Sequence, residues 1–516
     1  MDADVAIVGY GPVGMVTAGL LARAGHRVRV LERYAGLYGL PRAAIFDDET
    51  MRTFASLGIA ERLLPGLHVQ RTYEWRNGAG ELLLEHDFAE RGRSGWAEWY
   101  MMYQPDLEDA LHAVCQGFPR VQVSHRAEVT ALAQDADGVT LGVADGVGGD
   151  VRARYLVGCD GGNSFVRRAL GVEQDDYGFA EPWMVCDFRF RRPVRVPHAR
   201  QVGDPGQPVS IISLGPRHHR FSFMLDSEAA FRAECAPERV WRRVADYLDP
   251  ADAELIRVAT YTFRSLVAHR WRVGRVLLAG DSAHQMPPFL GQGMCSGIRD
   301  AQNLAFKLDL VLRGRAAPDL LDSYQTEREP HVRAVTEQGI ELGRLQTLRD
   351  PEAAARRDRR LLAERAARRA PEKITFPGLG AGFLASRSAG GRGELSVQGV
   401  VSDGTRRGLL DAVVGDGFRL LAEVGVVEDL ERTGSAAALR AAGVGVHALS
   451  SAGAVATSGA LHDVDGTYHR WLAGHGAAAV VVRPDFYVYG TARDTADARA
   501  LAAELTAALT PTLARH

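Results

Sequence analysis

The first thirty-odd residues constrain this chain more than any others. A short apolar run, Val5 to Val8, meets Gly9, Gly11 and Gly14; an Ala/Leu-rich helical pattern follows, and a second apolar run, Val28 to Leu31, closes on Glu32. This is a strand–turn–helix–strand order with G-x-G-x-x-G spacing, and the acidic residue stands about 20 residues on, as in a dinucleotide-binding βαβ unit. Gly9 serves the tight turn, Gly11 lets backbone approach a pyrophosphate, and Gly14 lets helix and strand pack closely. The phosphates would sit at the helix N-terminus, beside Pro12 and Val13, where unpaired N–H groups and the helix dipole favour anions. Glu32, followed by Arg33, would accept hydrogen bonds from a ribose. The bland alternative is a tight turn with no ligand.

At 516 residues, two or three domains are expected. Apolar content of 46% and charged content of 24% describe a globular protein, and a net charge of −3 gives no reason to expect nucleic acid or an anionic membrane as partner. Cys115, Cys159, Cys186, Cys235 and Cys295 are scattered and contain no C-x-x-C, so neither a disulfide framework nor a metal site is expected. No signal peptide is visible and no apolar stretch approaches the roughly 20 residues of a membrane span, which predicts a cytoplasmic protein.

Along the chain, residues 1 to 171 alternate strands with helices. Gln104-Pro105-Asp106 opens a helix, and the stretch from Val121 to Val143 alternates like a hairpin around Asp137-Gly138. Residues 172–271 change character to alternating, aromatic-rich runs, as strands do. A second α/β segment spans 272–375. Gly, Ser and Pro then accumulate between 375 and 400, which predicts a linker, and residues 400–516 carry a further α/β pattern.

Two more elements bear on a cofactor. The strand VLLAGD ends in Gly280-Asp281 and leads through Pro287 and Pro288 to the loop Gly291-Gln292-Gly293-Met294, which enters a long helix. Backbone N–H groups there would point at a ligand and Asp281 would suit ribose or polyol hydroxyls, although Asp281 could equally be a helix cap. The third element is Asp160-Gly161-Gly162-Asn163-Ser164 with Arg167, which either holds a pyrophosphate through Arg and backbone amides or is a plain turn with a surface Arg.

Taken in order, these three motifs resemble those of the FAD-dependent aromatic monooxygenases of the p-hydroxybenzoate hydroxylase superfamily. The phrases PRAAIFDDETMRTFASLG, YMMYQPDLEDAL and MPPFLGQGMCSGIRDAQNLAFKL are similar to the branch with 3-(3-hydroxyphenyl)propionate hydroxylase, phenol hydroxylase and polyketide aromatic hydroxylases. The resemblance implies an α/β fold. A discontinuous Rossmann-like FAD-binding domain (1–171 and 272–375) would carry an inserted β-sheet substrate domain (172–271). A thioredoxin-like C-terminal domain (400–516), lacking C-x-x-C, would have a structural role.

The resemblance also assigns residues. Gly9, Gly11, Gly14 and Glu32 would bind the ADP part of noncovalent FAD; Arg42 would contact FAD and serve the nicotinamide; Gln104 would contact the FAD ribose or adenine side. Asp160 and Arg167 would face the pyrophosphates, and Asp281 the ribityl chain. Pro288, Gly291, Gly293 and Met294 would line the isoalloxazine, with Pro288 and Gly293 nearest the chemistry. Asp47 matches an Asp that activates the phenol, while its residue-level alternative is a cap for the helix that follows. The implied reaction consumes NADH or NADPH and O2 and hydroxylates a small aromatic substrate through a C4a-hydroperoxyflavin, with Baeyer–Villiger oxidation or epoxidation as the alternative outcome; the enzyme would be a monomer or homodimer. His218 and His219 read as surface turn residues. Trp183, Met184, Phe188, Phe221, Phe223 and Met224 could be either pocket wall or core.

Overall fold

The computed structural model describes residues 1–144, 149–371, 374–451 and 459–510. β1 (Ala3–Val8) is an almost unbroken apolar run because both of its faces are covered. It is followed by α1 (Pro12–Arg23), β2 (Val28–Leu31), β3 (Ile45–Asp47), α2 (Asp48–Ser56), α3 (Gln104–Gly117) and β4 (Val151–Gly158). β1 lies between β4 and β2, parallel to both, and Val276–Leu278 extends the sheet beyond β4. Val121–Ser124 pairs with β2 at the other edge, so the Asp137-Gly138 hairpin is shorter than its alternation predicts and comprises Val129–Gln134 and Val139–Val143.

The second sheet is built around β5 (Gln174–Phe190), β6 (Ala199–Gly203), β7 (Val209–Ser213), β8 (His218–Met224) and β9 (Ala253–Ala268). Its order runs His284–Gln285, β9, β5, β8, β7, β6, Thr72–Asn77, Leu82–Asp87. It therefore extends past the 172–271 segment: two strands come from the N-terminal part of the chain, Thr72–Asn77 pairing in parallel with β6. The aromatic runs divide between its two faces, as alternation requires. Met184, Phe188, Phe221 and Phe223 join Ile211, Val240 and Val244 in a core beneath the helix Pro237–Val244. Trp183 pairs with Met224 on the opposite, inner face.

α4 (Gly293–Leu312), α5 (Asp322–Gln346) and α6 (Pro351–Ala366) follow. Among the described residues no helix is long and apolar enough to cross a membrane. The stretch predicted as a linker is instead a strap pinned to the protein at a few buried residues. Leu379, Ala385, Ser396 and Gln398 are each less than 5% exposed, and Gln398 Nε2 donates to the Ser94 carbonyl at 2.7 Å. The final seven-stranded mixed sheet is covered on both faces: Leu430, Leu439 and Leu505 pack on one side and Val413, Tyr468 and Leu472 on the other. This is the layered arrangement expected of a thioredoxin-like unit.

Candidate active site

Three chain crossings meet at the carboxyl ends of β1, β4 and Val276–Leu278, where an α/β sheet offers its ligand crevice. At the first, Gly9 sits at φ +101°, and a Cβ on it would lie 2.3 Å from the Cys159 carbonyl; one on Gly14 would lie 2.2 Å from the Gly9 carbonyl. A Cβ on Gly11 would meet nothing within 4 Å. Gly9 and Gly14 are thus required by packing, while Gly11 faces an opening at the N-terminus of α1, which has Pro12 in its first turn and no side-chain cap. That open, uncapped helix end fits the pyrophosphate of FAD. Glu32 lies beside it, with Oε2 accepting from Tyr10 N–H at 2.8 Å and Oε1 from Tyr34 N–H at 2.9 Å. Arg33 stacks over the Tyr34 ring at the rim.

The second crossing differs from the expectation. Asp160 accepts from Ser164 Oγ and from Val166 N–H, binding its own turn together. Arg167 is 7% exposed and its guanidinium donates to the carbonyls of Gly162 at 2.8 Å and Ser282 at 3.0 Å. These two residues, expected at the pyrophosphate, hold their own turn, and the guanidinium ties the second crossing to the third. Gln104 is likewise engaged by the protein. At 3% exposure it is sealed from the crevice, and its Oε1 accepts from the N–H groups of Arg42 and Ala43 at 2.9 and 2.6 Å. It clamps the strap that carries Arg42, whose guanidinium lies 4.2 Å over the Tyr38 ring.

At the third crossing, Gly280-Asp281-Ser282 forms a 3-10 turn whose N-cap is Ala279, so Asp281 is free of the capping role. Its carboxyl is reachable by solvent yet hemmed in by the crevice walls. That burial raises its pKa, while His284 and Arg42 pull against it. Sequence inspection did not single out what holds this turn. Asp300, fully buried in α4, accepts from Gly280 N–H at 3.0 Å, from His284 Nε2 at 2.6 Å and from Arg328 Nε at 3.0 Å. Asp281→Ala is expected to weaken FAD binding roughly 10- to 100-fold, about 1–3 kcal/mol, by leaving sugar hydroxyls unpaired. Fluorescence titration of the apoprotein with FAD measures this, and an unchanged affinity removes Asp281 from the site.

The loop after Pro288 turns sharply at Gly291 (φ +63°), where a Cβ would lie 2.3 Å from Ile45 Cδ1. α4 then begins at Gly293 and Met294, with no side-chain cap. Its N-cap Gln292 is fully buried: Nε2 donates to Asp47 Oδ2 at 3.1 Å, and Oε1 accepts from Arg299 at 2.8 Å. This network decides the role of Asp47. Oδ1 caps α2 by accepting from Thr50 N–H at 2.9 Å, and Oδ2 is shared by Arg299 and Gln292. Burial would raise its pKa, but Arg299 and Thr50 outweigh burial and hold the carboxyl below its usual range. A carboxylate held ionised and wrapped in donors is a poor general base, so the structure favours the capping alternative. Asp48, by contrast, is pushed up to about 7 by burial beside the charge of Asp47, and accepts from Ser94 N–H at 2.6 Å. Arg299 and Asp300, two adjacent charges in the first half of a helix that also carries Lys307 and Asp309, were the sequence signal for both networks.

The inner face of the second sheet looks onto these loops. Trp183 lies 6.0 Å from Phe289 and 6.3 Å from Phe263, between ring centroids, forming an aromatic wall beside Pro288. Farther along, Asp187 is paired with both Arg220 and Arg257, and Arg220 also donates to the carbonyls of Pro41 and Arg42, fastening the sheet to the strap. His218 and His219 are not surface turn residues. They begin β8 and are buried: His218 stacks 3.7 Å from the Tyr103 ring, and His219 bonds the Pro197 carbonyl at 3.0 Å. Burial pushes their pKa values down, to about 4 and about 3. A separate cavity of about 260 Å³ beside α3, lined by Arg62, Tyr103 and Asp106, contains none of the expected site residues. Among the described residues no cluster of His, Cys, Asp or Glu is placed to hold a metal.

Comparison with known proteins agrees with this geometry. Residues 2–339 match the FAD binding domain family and residues 393–508 the HcaD C-terminal domain family. A probable NADH-specific resorcinol 4-hydroxylase of Rhodococcus jostii is 50% identical across 99% of this chain and 96% of its own length. A 3-(3-hydroxy-phenyl)propionate/3-hydroxycinnamic acid hydroxylase of a Mycobacterium species is 38% identical across 69% of this chain; the match spans 63% of that longer protein. Among solved structures, aklavinone-11 hydroxylase in a ternary complex with FAD and aklavinone superposes with a TM-score of 0.78 at 26% identity, covering 98% of this chain and 99% of that one.

Proposed function

The chain belongs to the FAD-dependent aromatic hydroxylases, and we propose that its substrate is a neutral dihydroxybenzene of the resorcinol type, with NADH as the reductant. The observation carrying this reading is the 50% identity, over nearly the whole of both chains, to the resorcinol 4-hydroxylase. FAD, when bound, supplies the redox chemistry: two electrons from the reduced nicotinamide reach O2, one oxygen atom enters the ring and the other leaves as water.

The protein's own residues bind, orient and exclude water. The open N-terminus of α1 and Gly11 would receive the pyrophosphate, Glu32 the ribose and Asp281 the ribityl chain. Arg42 would contact FAD and serve the incoming nicotinamide. Gly293 and Met294, at the uncapped start of α4, would present N–H groups and the positive end of a 20-residue helix to the flavin ring system beside Pro288. They would favour negative charge on the reduced ring. Trp183 and Phe289 give the aromatic substrate an apolar wall and keep water from it.

In the test, holoenzyme is supplied aerobically with NADH or NADPH, with and without resorcinol. Resorcinol should accelerate NADH oxidation at least several-fold more than NADPH oxidation and should be converted stoichiometrically to a benzenetriol. Nicotinamide oxidation that yields only hydrogen peroxide, or a preference for NADPH, refutes the corresponding part of the reading.

A further inference from the structure

Asp47, the carboxylate expected to meet a phenol, is spent on Thr50, Gln292 and Arg299. Strand β9 brings a different polar group to the crevice. Arg257, Ala259, Tyr261 and Phe263 alternate onto the inner face of the second sheet, registered beside Asp187, Val185, Trp183 and Glu181 on β5. Both flanks of the crevice bracket this run. At one end Arg257 donates to the Pro41 carbonyl, next to Arg42; at the other, Leu266 pairs with Gln285, on the segment that leads to Pro288. Tyr261 therefore lies between the Arg42 strap and the Pro288 loop, beside Trp183, whose ring meets Phe289. Trp183 and Val185 are 1% and 5% exposed, whereas Tyr261 and Ala259 are half-buried, so the face opens to solvent at these two residues.

Hydrogen-bond roles decide what the Tyr261 hydroxyl has left to offer. Arg257, two positions beyond Ala259 on the same face, donates to the tyrosine oxygen. A guanidinium only donates, so the tyrosine's own proton is left for an acceptor other than Arg257. Arg257 is held in turn by Asp187 at 3.3 Å and by the Pro41 carbonyl. Asp187 is one carboxylate shared by two guanidinia, Arg220 and Arg257, which leaves a positive charge in excess behind the hydroxyl. Phe263 lies nearly parallel to the tyrosine ring, 6.2 Å between centroids, and supports it from the other side. A donor backed by a cation is strongest toward an electron-rich oxygen, which a phenol presents and a bare aromatic ring does not. We propose that Tyr261 is the specificity-determining residue that donates to a ring hydroxyl of the aromatic substrate, with Ala259 leaving room for the ring beside it. The inference rests on the reading above of this crevice as the substrate site, and it adds the polar contact that orients the ring there.

The experiment uses the full-length holoenzyme, as wild type and Tyr261→Phe, with resorcinol, phenol and 3-(3-hydroxyphenyl)propionate, each of which carries a ring hydroxyl. Binding is read from perturbation of the flavin absorption spectrum, and coupling from product formed per NADH consumed. The substitution removes one oxygen from a half-buried side chain and keeps the ring beside Phe263, so FAD content and melting temperature should match wild type. Tyr261→Phe should weaken every phenol that the wild type binds on the order of tenfold. It should also lower product per NADH, because a ring held less firmly is missed by the oxygen transfer. Wild-type binding and coupling in Tyr261→Phe overturn the assignment and leave resorcinol hydroxylation standing. A parallel loss of FAD affinity overturns it too, since the hydroxyl is then structural. A wild type that ignores resorcinol but takes another of the phenols, with that phenol lost in Tyr261→Phe, upholds Tyr261 and overturns the resorcinol reading. A wild type that binds none of the three overturns both.

Discussion

Arg299→Met is expected to destabilise the protein by about 3–5 kcal/mol and to strip most of its FAD. Arg299 is 6% exposed, and its fork is shared between Asp47, Glu49 and the Gln292 side chain. Without it two carboxylates, at 4% and 6% exposure, remain buried with no guanidinium between them. The damage is local to the chemistry, because Gln292 is the N-cap of α4 and the next residue is Gly293. Loss of the fork frees the loop that leads into α4, which is proposed to line the flavin. Urea denaturation and FAD titration are the measurements. Arg299→Lys keeps the charge but loses the fork, and should fall between the two. Wild-type stability and FAD affinity in Arg299→Met would show that the network neither supports α2 nor positions the loop.

An effect of similar size is expected at the other end of α4. Arg483 is fully buried, donating to Glu327 at 2.6 and 3.0 Å, to Asp485 at 2.6 and 3.0 Å and to the Phe383 carbonyl at 2.8 Å. Lys307 donates to the same Glu327 at 2.7 Å. This cluster joins α4 and α5 to the C-terminal unit. Arg483→Met leaves one buried carboxylate in excess of the cations, again about 3–5 kcal/mol. The cost should depend on pH. Burial would raise the Glu327 pKa, but Arg483 and Lys307 outweigh it and hold the carboxyl well below its ordinary value of 4.5. A depressed carboxyl stabilises the fold above its unfolded pKa and loses that contribution as pH falls. The gap between wild type and variant should therefore be full at pH 7 and narrow steadily below about pH 4.5. A gap that does not change with pH would place the damage in packing around Phe306 rather than in the ion cluster.

The cofactor motifs were legible because each is a local event. A strand, a glycine that must take a positive φ, and the start of a helix follow one another within about ten residues, so Gly9, Gly11, Gly14, Glu32, Asp281, Gly291 and Gly293 could be placed in order along the chain. Other polar side chains expected at the site follow a different physics. Arg167, Gln104 and Asp47 are spent on partners 61 to 252 residues away, on the Ser282 carbonyl, the Arg42 and Ala43 amides and the Arg299 guanidinium. A motif states which residue type is present, while burial and the partner determine whether its polar atoms remain for a ligand. The histidines at 218 and 219 were misplaced for the same reason: neither charge nor turn propensity encodes that Tyr103 and the Pro197 carbonyl arrive from elsewhere.

By itself, then, the sequence determined the class of the molecule and of its cofactor, since strand–glycine–helix order and the βαβ period are set by neighbouring residues. The tertiary structure alone decided which face of the second sheet is core and which looks onto the crevice, because aromatic alternation is identical on both faces until the helix Pro237–Val244 covers one of them. It alone made the stretch after 375 a pinned strap, since Arg52 reaches the Ser396 carbonyl across 344 residues of chain.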